Sequence, residues 1–258
     1  MTELDDFAAN GILKIEGAFD DRDAARMRDV VWAELQHRYG VDRDDPDTWD
    51  RHPPTGLRST KRSPAFAPIC GPALSAMLDR LLGAGQWQPP KHCGNVLVTM
   101  PNAAEWRVPH KIWHSDFQPT LPADRLVAVK VWALFDDIAA TGGGTTQLAG
   151  SHRAFANYLA RTGECEYKRA KFGFLASHPW LASLTHDDGA PERNERFMRL
   201  GAEVDGVALR VVECIGQSGD VFVTHPWVFH SIADNASSRP RLMRSFAVTR
   251  RLASQSPD

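Results

Sequence analysis

The chain has 258 residues, 43% of them hydrophobic, and a formal net charge of -2 from 30 basic and 32 acidic side chains. Such a balance gives no electrostatic reason to expect a nucleic acid partner, and no apolar stretch approaches the roughly 20 residues that cross a bilayer. The length suits one substantial core, and all-β barrels commonly run this long as one unit, so a single domain over residues 1–258 is expected.

The opening MTELDDFAAN is acidic where a signal peptide would be basic and then apolar, which makes a cytoplasmic protein the expectation. Asp20 is placed to cap a helix whose apolar positions Ala24, Met27, Val31 and Leu35 recur at helical spacing, and Gly40 stops it. Residues 41–70, polar and rich in Asp, Arg and Pro, read as a long surface excursion. A second helix follows Pro72, with Leu74, Met77, Leu78 and Leu81 on one face and Gly83 at its end. From Asn95 onward the signals are those of strands: NVLVTM, LVAVKVWALF (126–135), ALRVVEC (208–214), DVFVT from Asp220 and RLMRSFAVT (241–249), punctuated by Gly and Pro. A helical N-terminus followed by many strands predicts a mainly β fold, a double-stranded β-helix or cupin-like jelly roll with N-terminal and flanking helices. Residues 154–207 carry Phe155, Tyr158, Phe172, Phe174, Trp180 and Phe197 among many charges, and read either as an insertion or lid or as a helical pack over one sheet. Cys70, Cys93, Cys165 and Cys214 are widely spaced and lack a C-x-x-C, so reduced, mostly buried thiols are expected.

His114-Ser115-Asp116 is the chemical focus. Alternate residues of a strand share a face, so a strand here sets an imidazole beside a carboxylate. With one more histidine they make the two-His, one-carboxylate set that occupies one face of an octahedral Fe(II) and leaves three positions open. His110 and His114 are four apart and could share zinc on a helix, but HKIWH lacks the glutamate base that follows the first histidine in such metalloproteases, and Pro109 disfavours the helix. His225 and His230 are five apart, which on one strand sends them to opposite faces. His152, in GSHR, falls at a turn and helix start.

KIWHSDF, the apolar run ending at Asp137, TGGGTTQLAGSHR and GDVFVTHPWVFHSIADNASSRPR follow one another as in the phytanoyl-CoA dioxygenase family of Fe(II)/2-oxoglutarate oxygenases. The chain resembles that family over most of its length, from an opening helix and strand at Phe7-Ala-Ala-Asn-Gly-Ile-Leu-Lys-Ile to the arginine eleven residues past His230, but not over 154–207. The resemblance implies that His114, Asp116 and His230 hold Fe(II), that Arg241 rather than Arg239 takes the distal carboxylate of 2-oxoglutarate, and that O2 is the second cosubstrate. It makes His225 a supporting residue. A guanidinium fork matches a carboxylate in two hydrogen bonds, which suits Arg241 to that task.

The implied activity is hydroxylation of an unactivated C–H bond in a small-molecule substrate, with release of succinate and CO2. The carboxylate of Asp116 favours this over halogenation, for which the related halogenases give the site to chloride. Two departures from the family pattern stand out. His230-Ser231-Ile232 replaces H-G-S, so the hydroxyl that supports the cosubstrate is displaced to Ser231 or elsewhere, and Ala149 opens the P-G-S-H turn. Trp113, Trp132, Thr145, Gln147 and Trp227 are candidate pocket residues. A non-catalytic metal-binding or ligand-binding β-barrel and a zinc-dependent hydrolase also fit the metal ligands, but neither needs a guanidinium at position 241.

Overall fold

In the computed structural model, which describes residues 2–49, 57–122 and 125–251, the strands form two antiparallel sheets. The larger runs β1 (Ile12–Ile15), β7 (Val221–Thr224), β3 (Ala128–Leu134), β9 (Arg241–Thr249), β2 (Asn95–Thr99), and the smaller β5 (Ala202–Val204), β6 (Val207–Glu213), β4 (Thr146–Ala149), β8 (His230–Ser231). This is the mainly β jelly roll with flanking helices that the strand signals predict.

Strand alternation explains what each face of the larger sheet meets. Val129, Val131 and Ala133 of β3, with Leu242, Phe246 and Val248 of β9, join the core under the N-terminal helices. The intervening Trp132, Leu134 and Met243 turn inward, packing with Cys214 and Phe222. Both faces are covered, so β3 reads as a nearly continuous apolar run.

Helix α1 (Glu3–Asn10) precedes β1, and α2 (Asp21–Tyr39) and α3 (Pro72–Leu82) complete the outer layer. Asp20 caps α2 by accepting from the Asp23 amide at 2.8 Å, and Gly40 ends it in the left-handed region at φ 65°. On α3 the buried face is Leu74, Met77, Leu78 and Leu82, with Leu81 only partly covered, one position later than the periodicity predicts. Residues 41–70 are less superficial than their polarity suggests. Short 3-10 turns bring Phe66 and Ile69 into the core, Phe66 edge-on to Phe135 at 5.7 Å, while positions 50–56 lie outside the described residues. The turn at Pro64–Cys70 and α3 form a bent apolar pair, but no single helix among the described residues is long and apolar enough to cross a membrane. Cys70 and Cys93, far apart in sequence, bring their sulfurs to 3.0 Å as free thiols.

A second apolar cluster lies on the smaller sheet. Residues 154–207 contribute most of α4 (Ser151–Thr162), then α5 (Tyr167–Ala176), α6 (Pro179–Leu184), a π-helical turn at Glu195–Leu200, and β5 itself. Phe155 meets Phe174, Trp227 and Phe229 edge to face, with centroids 5.2 to 5.8 Å apart. Arg193, 1% exposed, donates to the carbonyls of Val108, Pro109, Ser183, Leu184 and His186. It thereby clamps the arm that leads to His114 onto α6.

Arg193→Met leaves those carbonyls without their charged donor. Urea denaturation should show a loss of about 3 kcal/mol or more, against about 0.5 kcal/mol or less for Arg169→Met on the surface. Equal midpoints for the two variants would deny the clamp.

Candidate metal centre

His114 and His230 are each other's antiparallel partners: the His114 amide donates to the His230 carbonyl at 3.1 Å, and the His230 amide returns the bond at 2.8 Å. The segment carrying H-x-D is not a strand beyond this single bridge, because Pro109 and a positive φ of 60° at Ile112 interrupt the ladder and Asp116 lies in a bend. Side chains replace the missing ladder. Ser231 Oγ donates to the Lys111 carbonyl at 2.6 Å, and the Tyr167 hydroxyl of α5 donates to the Ser115 carbonyl.

The three side chains converge. His114 Nε2 is 3.6 Å from Asp116 Oδ1, His230 Nε2 is 3.7 Å from Asp116 Oδ2, and a ligand atom from each residue lies within 4.8 Å of the other two. Each histidine places Nδ1 on a backbone carbonyl, that of Ile112 at 2.8 Å and that of Val228 at 3.2 Å. A carbonyl can only accept, so Nδ1 carries the proton and the Nε2 lone pairs face inward, as metal ligation requires. Burial pulls His230 down to about 4, keeping it neutral, whereas the neighbouring Asp116 carboxylate raises His114. Although burial opposes its charge, Asp116 is held well below the usual carboxylate range by His114, His230 and Lys130. Two imidazole nitrogens and an ionised carboxylate on one side of a small space fit a facially bound divalent ion.

Arg241, 4% exposed, faces inward from β9. Nη2 donates to Thr99 Oγ1 on β2, but Nε and Nη1 are buried with no hydrogen-bond partner. Burial lowers the guanidinium to about 10, leaving it charged at neutral pH. Such orphaned donors are costly and rare, and each lies beside Nη2, with which a guanidinium makes its fork for a carboxylate. Arg239, in contrast, is exposed and paired with Asp136 at 3.2 Å. Gln147, fully buried, lies beside the Cys214 thiol and opposite His230 in the β4–β8 pairing. Its amide nitrogen and oxygen also lack hydrogen-bond partners. Trp132 walls the space with its ring edge-on to His230 at 4.9 Å.

The sequence matches the family model described as phytanoyl-CoA dioxygenase over residues 7–243. The chain belongs to the phytanoyl-CoA dioxygenase family. No curated protein matches it significantly. Among solved structures it is similar to the non-heme alpha ketoglutarate dependent carbocyclase SnoK from nogalamycin biosynthesis (18% identity, TM-score 0.51, covering 96% of this chain and 82% of that one). It is also similar to AviO1 from Streptomyces viridochromogenes Tue57 (15% identity, TM-score 0.55, 99% and 96% covered). A third is the epimerase SnoN in complex with Fe3+, alpha ketoglutarate and nogalamycin RO (15%, 0.52, 99% and 91%). At these identities the likeness establishes the fold.

Against the family pattern, the Ser231 hydroxyl donates to the Lys111 carbonyl, and the hydroxyl beside Arg241 is that of Thr99. NVLVTM marks Thr99 only as a strand residue, and its pairing with Arg241 becomes visible once β2 lies beside β9. No periodicity marks Tyr167 as a partner of the H-x-D segment, whereas the lone Lys130 in LVAVKVWALF is a visible anomaly. Of the other residues singled out, His110 lies outside the cluster on a non-helical segment, which removes the helical zinc pair. His225 packs tilted against His152 with ring centroids 4.7 Å apart, and His152 lies in the first turn of α4. Trp113 and Trp227 are core residues with indole donors on the Pro109 and Gln118 carbonyls, and Thr145 contacts Met243.

Mn(II) titration followed by calorimetry should show binding by the wild type, loss of at least about a hundredfold in affinity for His114→Ala, Asp116→Ala and His230→Ala, and little change for His225→Ala. A variant series in which His225 and not His230 controls binding would reassign the centre.

Proposed function

We propose that this protein is an Fe(II)- and 2-oxoglutarate-dependent oxygenase that hydroxylates an unactivated C–H bond of a small metabolite. The observation that carries this reading is the buried, half-unpartnered guanidinium of Arg241 in the same interior as the His114, Asp116 and His230 cluster. A metal-binding barrel or a zinc hydrolase has no use for that cation, whereas a dicarboxylate held at both ends needs it. Family membership and the fold shared with the SnoN complex of Fe3+ and alpha ketoglutarate point the same way.

His114, Asp116 and His230 would hold the iron through Nε2, a carboxylate oxygen and Nε2. When bound, Fe(II) with 2-oxoglutarate and O2 supplies the oxidation of a C–H bond to an alcohol, with succinate and CO2 as coproducts. The protein's part is positional. Arg241 takes the far carboxylate of the keto acid through its unpartnered guanidinium hydrogens, while Thr99 holds one hydrogen of Nη2. Gln147 offers an amide to the same ligand. Trp132 excludes water from the His230 side and holds the ring in place. The helices of 154–207 form the wall where substrate enters, with Tyr167 tying α5 to Ser115 beside the ligand carboxylate.

A bidentate, charge-assisted contact in a desolvated pocket is worth roughly 1.5 to 3 kcal/mol, and each 1.4 kcal/mol is tenfold in affinity. Calorimetry on the Mn(II)-loaded protein should therefore show the 2-oxoglutarate Kd raised at least about tenfold by Arg241→Gln and less by Arg241→Lys, which keeps the charge but not the fork. Arg239→Gln should leave it unchanged. Equal affinity in wild type and Arg241→Gln would remove the keto acid from this site.

A further inference from the structure

Lys130 is the one charged residue in β3, whose sequence AVKVWAL is otherwise apolar. It shares a strand face with Trp132, so the backbone directs it into the interior between the sheets. Its ammonium contacts Asp116 Oδ2 and lies 5.1 Å from the Trp132 ring centroid, with the side chain 18% exposed. Burying an ammonium is unfavourable unless it is paired, and an aliphatic residue at this position would simply extend the apolar strand. Ligation by the triad and carboxylate capture by Arg241 leave this cation without a task.

We propose that Lys130 is a positioning residue, a fixed counter-charge that opposes binding of the bare divalent ion and favours binding of the dianionic keto acid. This rests on the reading of the site as a 2-oxoglutarate centre. The carboxylate of Asp116 has two oxygens, so one can face a metal while the other keeps Lys130. With Asp116 negative and Lys130 and Arg241 each positive, a divalent ion leaves the centre with a net triple positive charge, and the dianion brings it down to a single one. With a neutral residue at 130 the same two steps give a double positive charge and then neutrality, so Lys130 adds one positive charge that repels the metal and attracts the keto acid. The lysine therefore acts on the two ligands with opposite signs. Groups this close are little screened by salt, and Coulomb's law at an effective dielectric of about 20 allows changes of well over tenfold. A lysine that merely held Asp116 in place would act on both ligands with the same sign.

The test is calorimetry on the full chain with Mn(II) and then with 2-oxoglutarate on the Mn(II)-saturated protein, for wild type, Lys130→Met, Lys130→Gln and Lys130→Arg, with urea midpoints to confirm folding. Both neutral variants should bind Mn(II) at least about fivefold more tightly and 2-oxoglutarate at least about tenfold more weakly, with Lys130→Arg close to wild type in both. Two neutral variants keep the comparison open if one of them folds poorly. Weakening of both ligands together, or unchanged 2-oxoglutarate affinity, would overturn the counter-charge role. Wild-type protein that binds Mn(II) but not 2-oxoglutarate would instead remove the parent reading, and this role with it.

Discussion

The site hangs on one reciprocal pair of backbone hydrogen bonds, between His114 and His230. These residues are 116 positions apart, and their mutual bridge sets the two imidazoles at 4.3 Å between centroids before any metal is considered. Everything around it serves that bridge. β8 continues from it into β4, Ser231 draws in Lys111, Tyr167 holds Ser115, and Arg193 fixes the preceding arm to α6. The H-x-D segment is thus held by side chains from three parts of the chain rather than by a ladder of its own.

Three buried arginines show how chemistry separates structure from function. Arg193 spends its donors on carbonyls. Arg244 lies over Phe66 at 3.6 Å and donates to the Gly94 and Thr60 carbonyls. Arg241 has a hydroxyl for one nitrogen and nothing for two others. A guanidinium buried without its hydrogen bonds destabilises the fold, so its retention makes sense where a ligand supplies the missing oxygens. Gln147, similarly unsatisfied and opposite His230 across the β4–β8 pairing, extends the same argument along the interior.

Much of this was legible in the sequence because it depends on local periodicity and spacing. The RLMRSFAVT strand coincides with β9, and Asp20 and Gly40 bound α2, since alternation and caps are properties of neighbouring residues. What was illegible depends on partners distant in the chain. Phe66 and Ile69 sit in a polar, Pro-rich stretch that carries no period, yet the sheet above draws them in. Thr99 becomes the partner of Arg241 only through the β2–β9 register, and Cys93 meets Cys70 only once the 3-10 turns fold back. Alternation, the simplest way to align two side chains, predicts a strand for the H-x-D pair; a single bridge followed by a bend achieves the alignment here.

Chelation of the keto acid at iron between His114, Asp116, His230 and Arg241 is the central claim. It is tested most directly by anaerobic absorption spectroscopy of the Fe(II)-loaded protein. Addition of 2-oxoglutarate should produce a weak visible charge-transfer band that saturates with the cosubstrate, is absent with Zn(II), and requires higher 2-oxoglutarate concentrations in Arg241→Gln. A solution that stays colourless while 2-oxoglutarate is shown to be bound would place the keto acid away from the metal and contradict the assignment.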